Sequence, residues 1–513
     1  MGEDLDELLR RRALTEDAAR PDAVDRRHAA GGRTARENIA DLCDPGSFVE
    51  YGALDLAAQR QRLSPEQLRA ASPADGFLAG LGSVNGATFD EARARTMVLA
   101  YDYTVFAGTQ GLRNHAKADR LIQVAEHGRL PLVLFGEGGG GRPGEDGGDY
   151  GDTFAIFAKL SGLVPMVAIV SGRCYAGNAS LVGCCDVIIA TRNSNIGMGG
   201  PAMIEGGGLG VYRPEEIGPI GVQSANGVVD LVVEDEAEAV RVAKQYLSYF
   251  QGRLPTWEAH DQREMRRIVP ENRLRAYDVR RVLHTLADVG SVLELRAGFG
   301  HGIITALARV EGRPLGIVAN NPSHLGGAID SDAADKAARF MQLCDAFDLP
   351  MLSLVDTPGI MVGPDVETTA LVRHSSRLFL AGANLRVPRF AILLRKVYGL
   401  GGIAMTGGSF KVNTFTVAWP TGEFGAMGLE GAVRLAYRTE MDAIEDPHER
   451  RRFFDQQVAA AYRKGKAVRL ANAFAVDDTI DPAESRFWLA NLMASLRPPA
   501  PRDGKQRTAV DAW

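Results

Sequence analysis

Residues 117–135 read KADRLIQVAEHGRLPLVLF, and residues 336–354 read KAARFMQLCDAFDLPMLSL, 219 positions further on. A second pair, VPMVAIVSGRCYAG at 164–177 and VPRFAILLRKVYGL at 387–400, matches at 223 positions. The run-ins agree as well: Asp44-Pro45-Gly46-Ser47-Phe48-Val49-Glu50 is echoed by Asp288-Val289-Gly290-Ser291-Val292-Leu293-Glu294. Two matched blocks in one order, with a net drift of four residues, mark a duplication. A unit of this length is far beyond a solenoid repeat. The chain is read as two copies of one domain, with a composite site that uses one surface from each.

Within each copy, short apolar runs alternate with helical ones. In the first, Phe77–Leu81 and Thr96–Ala100 flank the hairpin signal Asn85-Gly86. A helix is expected over 114–127, a strand over 130–135, a helix over 153–163, a strand over 166–170, a helix over 178–185 and a strand over 186–190. The second repeats the order with strands at 303–309, 315–319 and 351–355, helices at 331–346 and 366–382, and a strand at 389–394. Such alternation indicates an α/β domain. Residues 54–73 read as an amphipathic helix or lid, and 445–475 as a charged helix. The expected organisation is a helical arm over 1–45, a first domain over 46–260, a second over 261–496 and a tail over 497–513.

Composition narrows the function. The 513 residues are 45% hydrophobic and 24% charged, an ordinary globular balance. A net charge of −6 argues against general nucleic-acid binding, which favours a basic stripe. Cys43, Cys174, Cys184, Cys185 and Cys344 include no C-x-x-C pair, so neither a metal site nor a disulfide framework is expected, and reduced cytoplasmic thiols are. The N-terminus shows no secretory pattern, and no window is apolar enough to span a membrane. The 58 glycines cluster at 138–141, 147–151, 197–200, 206–210 and 399–408. Glycine there allows positive φ and close approach of backbone to a ligand.

The turn Gly172-Arg173-Cys174-Tyr175-Ala176-Gly177-Asn178 follows an apolar strand and opens a helix of small residues. Such a turn aims free backbone N–H groups outward, where they can bind an anion or a developing oxyanion. Its counterpart, Lys396-Val397-Tyr398-Gly399-Leu400-Gly401-Gly402, offers the same device in the second copy. Gly138-Gly139-Gly140-Gly141, closed by Arg142, follows a strand and reads as a cradle for a thin ligand chain. Arg33, Arg36, Arg113, Lys117 and Arg142 are candidates for binding phosphates, Tyr175 and Tyr398 for lining a pocket, and Glu367, Arg373 and His374 for contacting a substrate. For each, an ordinary surface charge, a salt bridge or a core aromatic is the competing reading.

Gly32-Arg33-Thr34-Ala35-Arg36-Glu37, Asp44–Glu50 and Asp75-Gly76 resemble the opening of the carboxyltransferase (beta) subunits of biotin-dependent acyl-CoA carboxylases. Val318-Ala319-Asn320-Asn321-Pro322, Asp335–Phe340, Asp356-Thr357-Pro358-Gly359, Arg373-His374 and Ala418-Trp419-Pro420-Thr421 resemble the same family. The resemblance runs from about residue 28 to 497. It implies an α/β fold of tandem crotonase-like ββα superhelix domains. It also implies that a carboxyl group passes from carboxybiotin on a separate carrier protein to the α-carbon of an acyl-CoA, in fatty-acid metabolism. Ala176 and Gly177 would then hold the thioester oxygen, and Gly399, Leu400 and Gly401 the biotin ureido oxygen. Arg33, Arg36, Gly139, Gly140, Gly141, Arg142, Tyr175 and Tyr398 would bind the CoA ester. Biotin carboxylase and carrier partners, a dimer-based hexamer of this chain, and no metal are implied too. The chain departs from the family pattern at Glu137–Arg142, where a serine-led Gly-Gly-Ala-Arg is usual, and at Leu400. The glycine run and Gly206-Gly207-Gly208-Leu209-Gly210 look closer to the long single-chain acyl-CoA carboxylases. A biotin-coupled CoA-ester decarboxylase, a non-catalytic assembly subunit, and a biotin-independent hydratase or hydrolase stay open as alternatives.

Overall fold

A computed structural model describes residues 2–145, 151–497, 499–500 and 503–513. Of the glycine cluster at 147–151, all but Gly151 lies outside the described residues. The contacts divide the chain into two compact units, one running to Gly252 and including part of the C-terminal tail, the other beginning at Arg253.

The first unit contains β1 (Val49–Tyr51), β2 (Phe77–Ser83), β3 (Arg95–Tyr101), β4 (Leu132–Phe135), β5 (Met166–Val170), β6 (Arg173–Tyr175), β7 (Val187–Thr191), β8 (Asn195–Gly197) and β9 (Leu231–Val233). Seven of them form one sheet in the order β1-β2-β3-β4-β5-β7-β9, and β6 pairs with β8 apart from it. β1, β2 and β3 run antiparallel, and from β3 onward the ladder is parallel. The parallel strands LVLF, MVAIV and VIIAT are buried at every position, as strands covered on both faces must be. The helix Leu112–Gly128 covers the sheet with Ala118, Leu121, Ile122 and Ala125, a stripe at helical spacing.

The second unit repeats this plan with β10 (Leu293–Leu295), β11 (Ile303–Val310), β12 (Arg313–Asn320), β13 (Met351–Thr357), β14 (Arg389–Tyr398), β15 (Phe415–Ala418), β16 (Glu423–Gly425) and β17 (Asp478–Thr479). Again the first pairs are antiparallel and the later ones parallel. Strand β14 spans the equivalents of both β5 and β6, and β16 pairs its far end as β8 pairs β6. One position sets the backbone apart here: Gly172, at φ 93°, bends the first copy between β5 and β6, while Arg395 continues the second as one strand.

Several expected elements are shorter than read. The helix expected over 366–382 is two, Pro364–Glu367 and Leu371–Ala383, because Ala370 adopts φ 58° between them. Asn85 does take φ 63°, but no two-residue hairpin follows; a short helix, Glu91–Ala94, capped by Asp90, precedes β3. The helix expected over 54–73 is confined to Pro65–Ala71, whose start is set by a Ser64–Gln67 capping box. The charged helix expected over 445–475 is interrupted at Gly465. The N-terminal arm is three helices, Gly2–Ala13, Pro21–Ala29 and Ala35–Leu42, the last opened by a Thr34–Glu37 capping box. Among the described residues no helix is long and apolar enough to cross a membrane.

Candidate active site: two matched main-chain cradles

After β4 the backbone amides of the glycine run are committed one by one. Gly138 donates to the Arg173 carbonyl (2.8 Å), Gly139 to Ala107 (3.2 Å), and Arg142 to Gln110 (2.7 Å). Gly140 donates to the Asn178 Oδ1 atom at 3.0 Å. The Gly141 N–H has no acceptor among the described residues, and open space surrounds its Cα. Across from it lies the turn into the Gly177–Gly183 helix. Ala176 stands at φ 52° and ψ −121°. Its N–H donates to the Gly197 carbonyl at 3.1 Å, extending the β6–β8 ladder. The expectation that Ala176 donates to a ligand is therefore corrected: that amide is spent inside the fold. The Gly177 N–H is unpaired among the described residues. Gln110 joins the two loops. Its main chain bridges Gly141, and its Oε1 lies 2.0 Å from where a Cβ on Gly177 would sit. The first cradle is thus Gly141 with Gly177.

The second unit builds the same device in the same register. Ile329 stands 219 positions after Gln110 and bridges Ile360, which stands 219 after Gly141. Ile329 donates to the Gly359 carbonyl (3.1 Å) and accepts from the Met361 N–H (2.9 Å), as Gln110 does with Gly140 and Arg142. Both bridges follow a kinked turn of three positive-φ residues, Phe106-Ala107-Gly108 and Leu325-Gly326-Gly327. Gly399 repeats the φ of Ala176 at 52°, and a Cβ there would lie 2.7 Å from the Ala426 carbonyl. Leu400 takes the place of Gly177. Its N–H has no acceptor among the described residues, and its side chain is 62% exposed. A Cβ on Gly401 would lie 2.7 Å from the Gly359 Cα. The second cradle is thus Ile360 with Leu400, framed by Gly399 and Gly401. Reading residues 399–401 as one donor run missed Ile360. The 219-residue offset from Gly141 is the signal that finds it.

A buried acid lies beneath each cradle. Asp356, fully buried, accepts from the Arg395 Nε (3.0 Å) and from the Lys396 N–H (3.1 Å). Burial lowers the pKa of the neighbouring Lys396 ammonium, against the pull of Asp356. Glu137 is paired with Arg27 of the arm, and burial pushes its carboxyl up to about 7 despite that guanidinium. Tyr175 and Tyr398, expected to line a pocket, point inward. Tyr175 donates to the Pro214 carbonyl (2.9 Å) and Tyr398 to Glu423 (2.6 Å), so both anchor the turns from behind.

The cations sort differently from expectation. Arg142 is 4% exposed and bonds to Asp75, the Thr109 carbonyl (2.9 Å) and the Asp75 carbonyl (3.1 Å). It braces the loop beside the cradle and has nothing left for a ligand phosphate. Lys117 is likewise internal, donating to the Ala74 and Phe77 carbonyls at 2.8 Å each. Arg36 is held by Glu50 (3.1 Å) and the Thr15 carbonyl (2.9 Å), and Arg33 by Asp41 (2.7 Å). Arg36 is claimed within the fold as well, whereas the Arg33–Asp41 pair stands part-exposed. Arg113 does line a cavity of about 840 Å³, with Arg11, Arg60 and Arg69, at the start of the Leu112–Gly128 helix just beyond Gln110. His374 is paired through Nδ1 with Asp335 (2.6 Å), while Glu367 and Arg373 are exposed. Among the described residues no group of three His, Cys, Asp or Glu side chains could hold a metal ion. Unpaired main-chain N–H groups of this kind are the donors a developing oxyanion requires.

The carboxyl transferase domain model matches residues 26–497. The methylmalonyl-CoA carboxyltransferase 12S subunit of Propionibacterium freudenreichii subsp. shermanii is 33% identical, over 95% of this chain and 93% of its own. A crystal structure of transcarboxylase 12S, described by its hexamer assembly and with methylmalonyl-CoA bound, matches with a TM-score of 0.84 at 31% identity, covering 98% of this chain and 97% of that one. A single-chain, multi-domain long-chain acyl-CoA carboxylase matches with a TM-score of 0.92 at 62% identity. That match covers 95% of this chain, which spans about half the length of that larger protein (48%). With the duplicated fold and its matched cradles, these likenesses place the chain: it belongs to the carboxyl transferase domain family.

Proposed function

We propose that this chain transfers a carboxyl group between biotin on a carrier protein and the α-carbon of an acyl-CoA. The observation that carries this reading is the pair of unpaired N–H groups found at equal register in both copies, Gly141 with Gly177 and Ile360 with Leu400. Carboxyl transfer between two carbonyl compounds gathers negative charge on two oxygens, and two donor pairs answer that need. The first cradle takes the thioester oxygen as the α-carbon becomes nucleophilic. The second takes the ureido oxygen, and its unpaired amides fit that group. When bound, biotin supplies the carboxyl group. Over the whole transfer the carboxyl leaves a biotin nitrogen and joins the α-carbon, whose proton ends on that nitrogen. The cavity lined by Arg11, Arg60, Arg69 and Arg113 takes the CoA phosphates.

The acyl group is a long chain. Supporting this are the 62% identity to a long-chain acyl-CoA carboxylase and the exposed apolar ring of Phe154 beside Gly177. The working assembly is a homo-oligomer in the cytoplasm, as the hexameric 12S relative suggests, served by a biotin carboxylase and a biotin carrier. Reconstitution tests the reading. The chain is mixed with biotin carboxylase, biotinylated carrier, MgATP and bicarbonate, and acyl-CoAs from acetyl to palmitoyl are offered. Carboxylated product that needs the carrier and favours the longer chains is expected. No carboxylation of any ester, or turnover without the carrier, would overturn it.

A further inference from the structure

Glu137 and Asp356 occupy the same position in the two copies, 219 residues apart. Each is a carboxylate buried just ahead of its cradle, at 9% and 0% exposure. A carboxylate taken out of water needs a counter-charge held in good geometry. The second copy supplies one from its own strand, through Arg395. The residue at the matching position of the first copy, 223 before Arg395, is Gly172. It has no side chain to offer, and a Cβ there would stand 2.4 Å from the Glu137 Oε1. The cation comes instead from outside the repeat. Arg27, on the Pro21–Ala29 helix of the arm, bonds both Glu137 oxygens (2.8 and 2.7 Å) in the bidentate geometry that suits guanidinium.

Other groups hold Arg27 in that place. Its Nε donates to the Arg33 carbonyl at 2.8 Å, and a second bond runs to Glu236 at 3.1 Å. Glu236 in turn accepts from the Arg33 N–H (2.6 Å) and from the Asn38 amide (3.2 Å). The Arg27 guanidinium also lies 5.7 Å from the Tyr103 ring centre. These groups surround a water-sized space, about 20 Å³, floored by Phe135, Ile169 and Ser171 at the ends of β4 and β5. The next residue, Gly138, is tied to Arg173 and Tyr175 by main-chain bonds of 2.8 and 2.9 Å, so the glycine run and the Gly177 turn leave this one point together.

We propose that Arg27 is a positioning residue of the first cradle, an arm-borne latch that neutralises Glu137 where the second copy uses Arg395, and so fixes Gly141 and Gly177. The inference rests on the reading that this cradle holds the thioester oxygen. Freed from Arg27, an ionised Glu137 is left with two acids, Glu236 and Asp102, and the buried Cys174 thiol against it, in a space that Arg33, Tyr101 and Tyr103 also line, and the loops beside it loosen.

The test compares the full chain with Arg27→Met, Arg27→Lys and Arg27→Met/Glu137→Gln. Hydrogen exchange is followed by mass spectrometry in peptides covering 136–142 and 172–178, at pH 6 and pH 8. Arg27→Met should raise uptake there several-fold over wild type at pH 8 and by less at pH 6, because a buried acid freed of its guanidinium partner protonates more readily. The double variant should restore protection, and Arg27→Lys should fall between. In the reconstituted carboxylation the kcat of Arg27→Met should fall about tenfold or more with KM for the CoA ester within threefold, again relieved by Glu137→Gln. Unchanged uptake in Arg27→Met, or a double variant as loose as the single, would overturn the latch. Should Arg27→Met not fold, Arg27→Lys carries the comparison: protection equal to wild type at both pH values would also overturn it. Exchange is read without turnover, so a chain inactive toward every CoA ester would defeat the functional reading while the latch is still judged.

Discussion

Gly177 and Glu137 each turn one atom's surroundings into a measurable consequence. A side chain on Gly177 meets the Gln110 Oε1 and, at 3.1 Å, the Phe154 ring. Gly177→Val would cover the free N–H and displace the Gln110 side-chain amide, which donates to the Tyr101 hydroxyl at 3.0 Å. Losing one oxyanion donor costs on the order of 10²–10³ in rate, so kcat of the reconstituted complex should fall by that factor with the fold intact by circular dichroism. Glu137 predicts a pH effect. Its folded-state pKa is raised from 4.5 to about 7, so the folded protein holds a proton that the unfolded chain releases. The resulting stabilisation is complete below about 4.5 and is lost as pH rises through about 7; a shift of this size is worth about 3 kcal/mol. Between pH 5 and pH 8 the denaturation midpoint of the wild type should fall relative to that of Glu137→Gln. Parallel slopes for the two proteins would refute the assignment.

The elements show why part of the site was legible and part was not. Both turns were found from strand–glycine–helix chemistry, because positive φ and small residues leave a local trace at Gly172–Gly177 and Gly399–Gly401. Which amide stays free is decided by long-range pairing. Ala176 looks as available as Gly177 until β8 is laid beside β6 and takes its N–H. Ile360 carries no small-residue signature, and only its register with Gly141 betrays it. Arg36 and Arg142 looked free for ligand because the acids that claim them, Glu50 and Asp75, are distant in sequence. The alternation of buried runs and helices, by contrast, exposed the central strands β2–β5, β7 and β11–β14 in the sequence, while the short strands β1, β6, β8–β10 and β15–β17 leave too few residues to read. The close packing of the second cradle gives an element-scale prediction. Gly401 touches the Gly359 main chain, so Gly401→Ala must part the Gly399–Met405 helix from the loop carrying Ile360. Backbone cannot yield as a flexible side chain can. Carboxyl transfer should drop at least tenfold, whereas Gly183→Ala, with nothing within 4 Å of its added methyl, should stay within twofold.

Over the whole molecule, a chain of net charge −6 is asked to bind an anionic ester. The overall field opposes that ligand, and the arginine-lined cavity of the first unit favours it, so ionic strength decides which is felt. The screening length is about 30 Å at 0.01 M salt and about 8 Å at 0.15 M. At physiological salt the distant acids are screened, and only the charges lining the cavity act on the phosphates. Neutralising Arg60 or Arg113 should therefore raise KM for the CoA ester several-fold at 0.15 M. Removing an acid at the opposite edge of the same unit's sheet, such as the exposed Glu234 beyond β9, should leave KM unchanged there and lower it slightly at 0.01 M. Added salt should weaken ester binding by the wild type, and Arg60→Ala/Arg113→Ala should flatten that dependence, because fewer charge contacts remain to be screened. KM measured across a salt series for the four proteins decides the matter. An unaltered salt slope in the double arginine variant would mean that the phosphates bind somewhere other than this cavity.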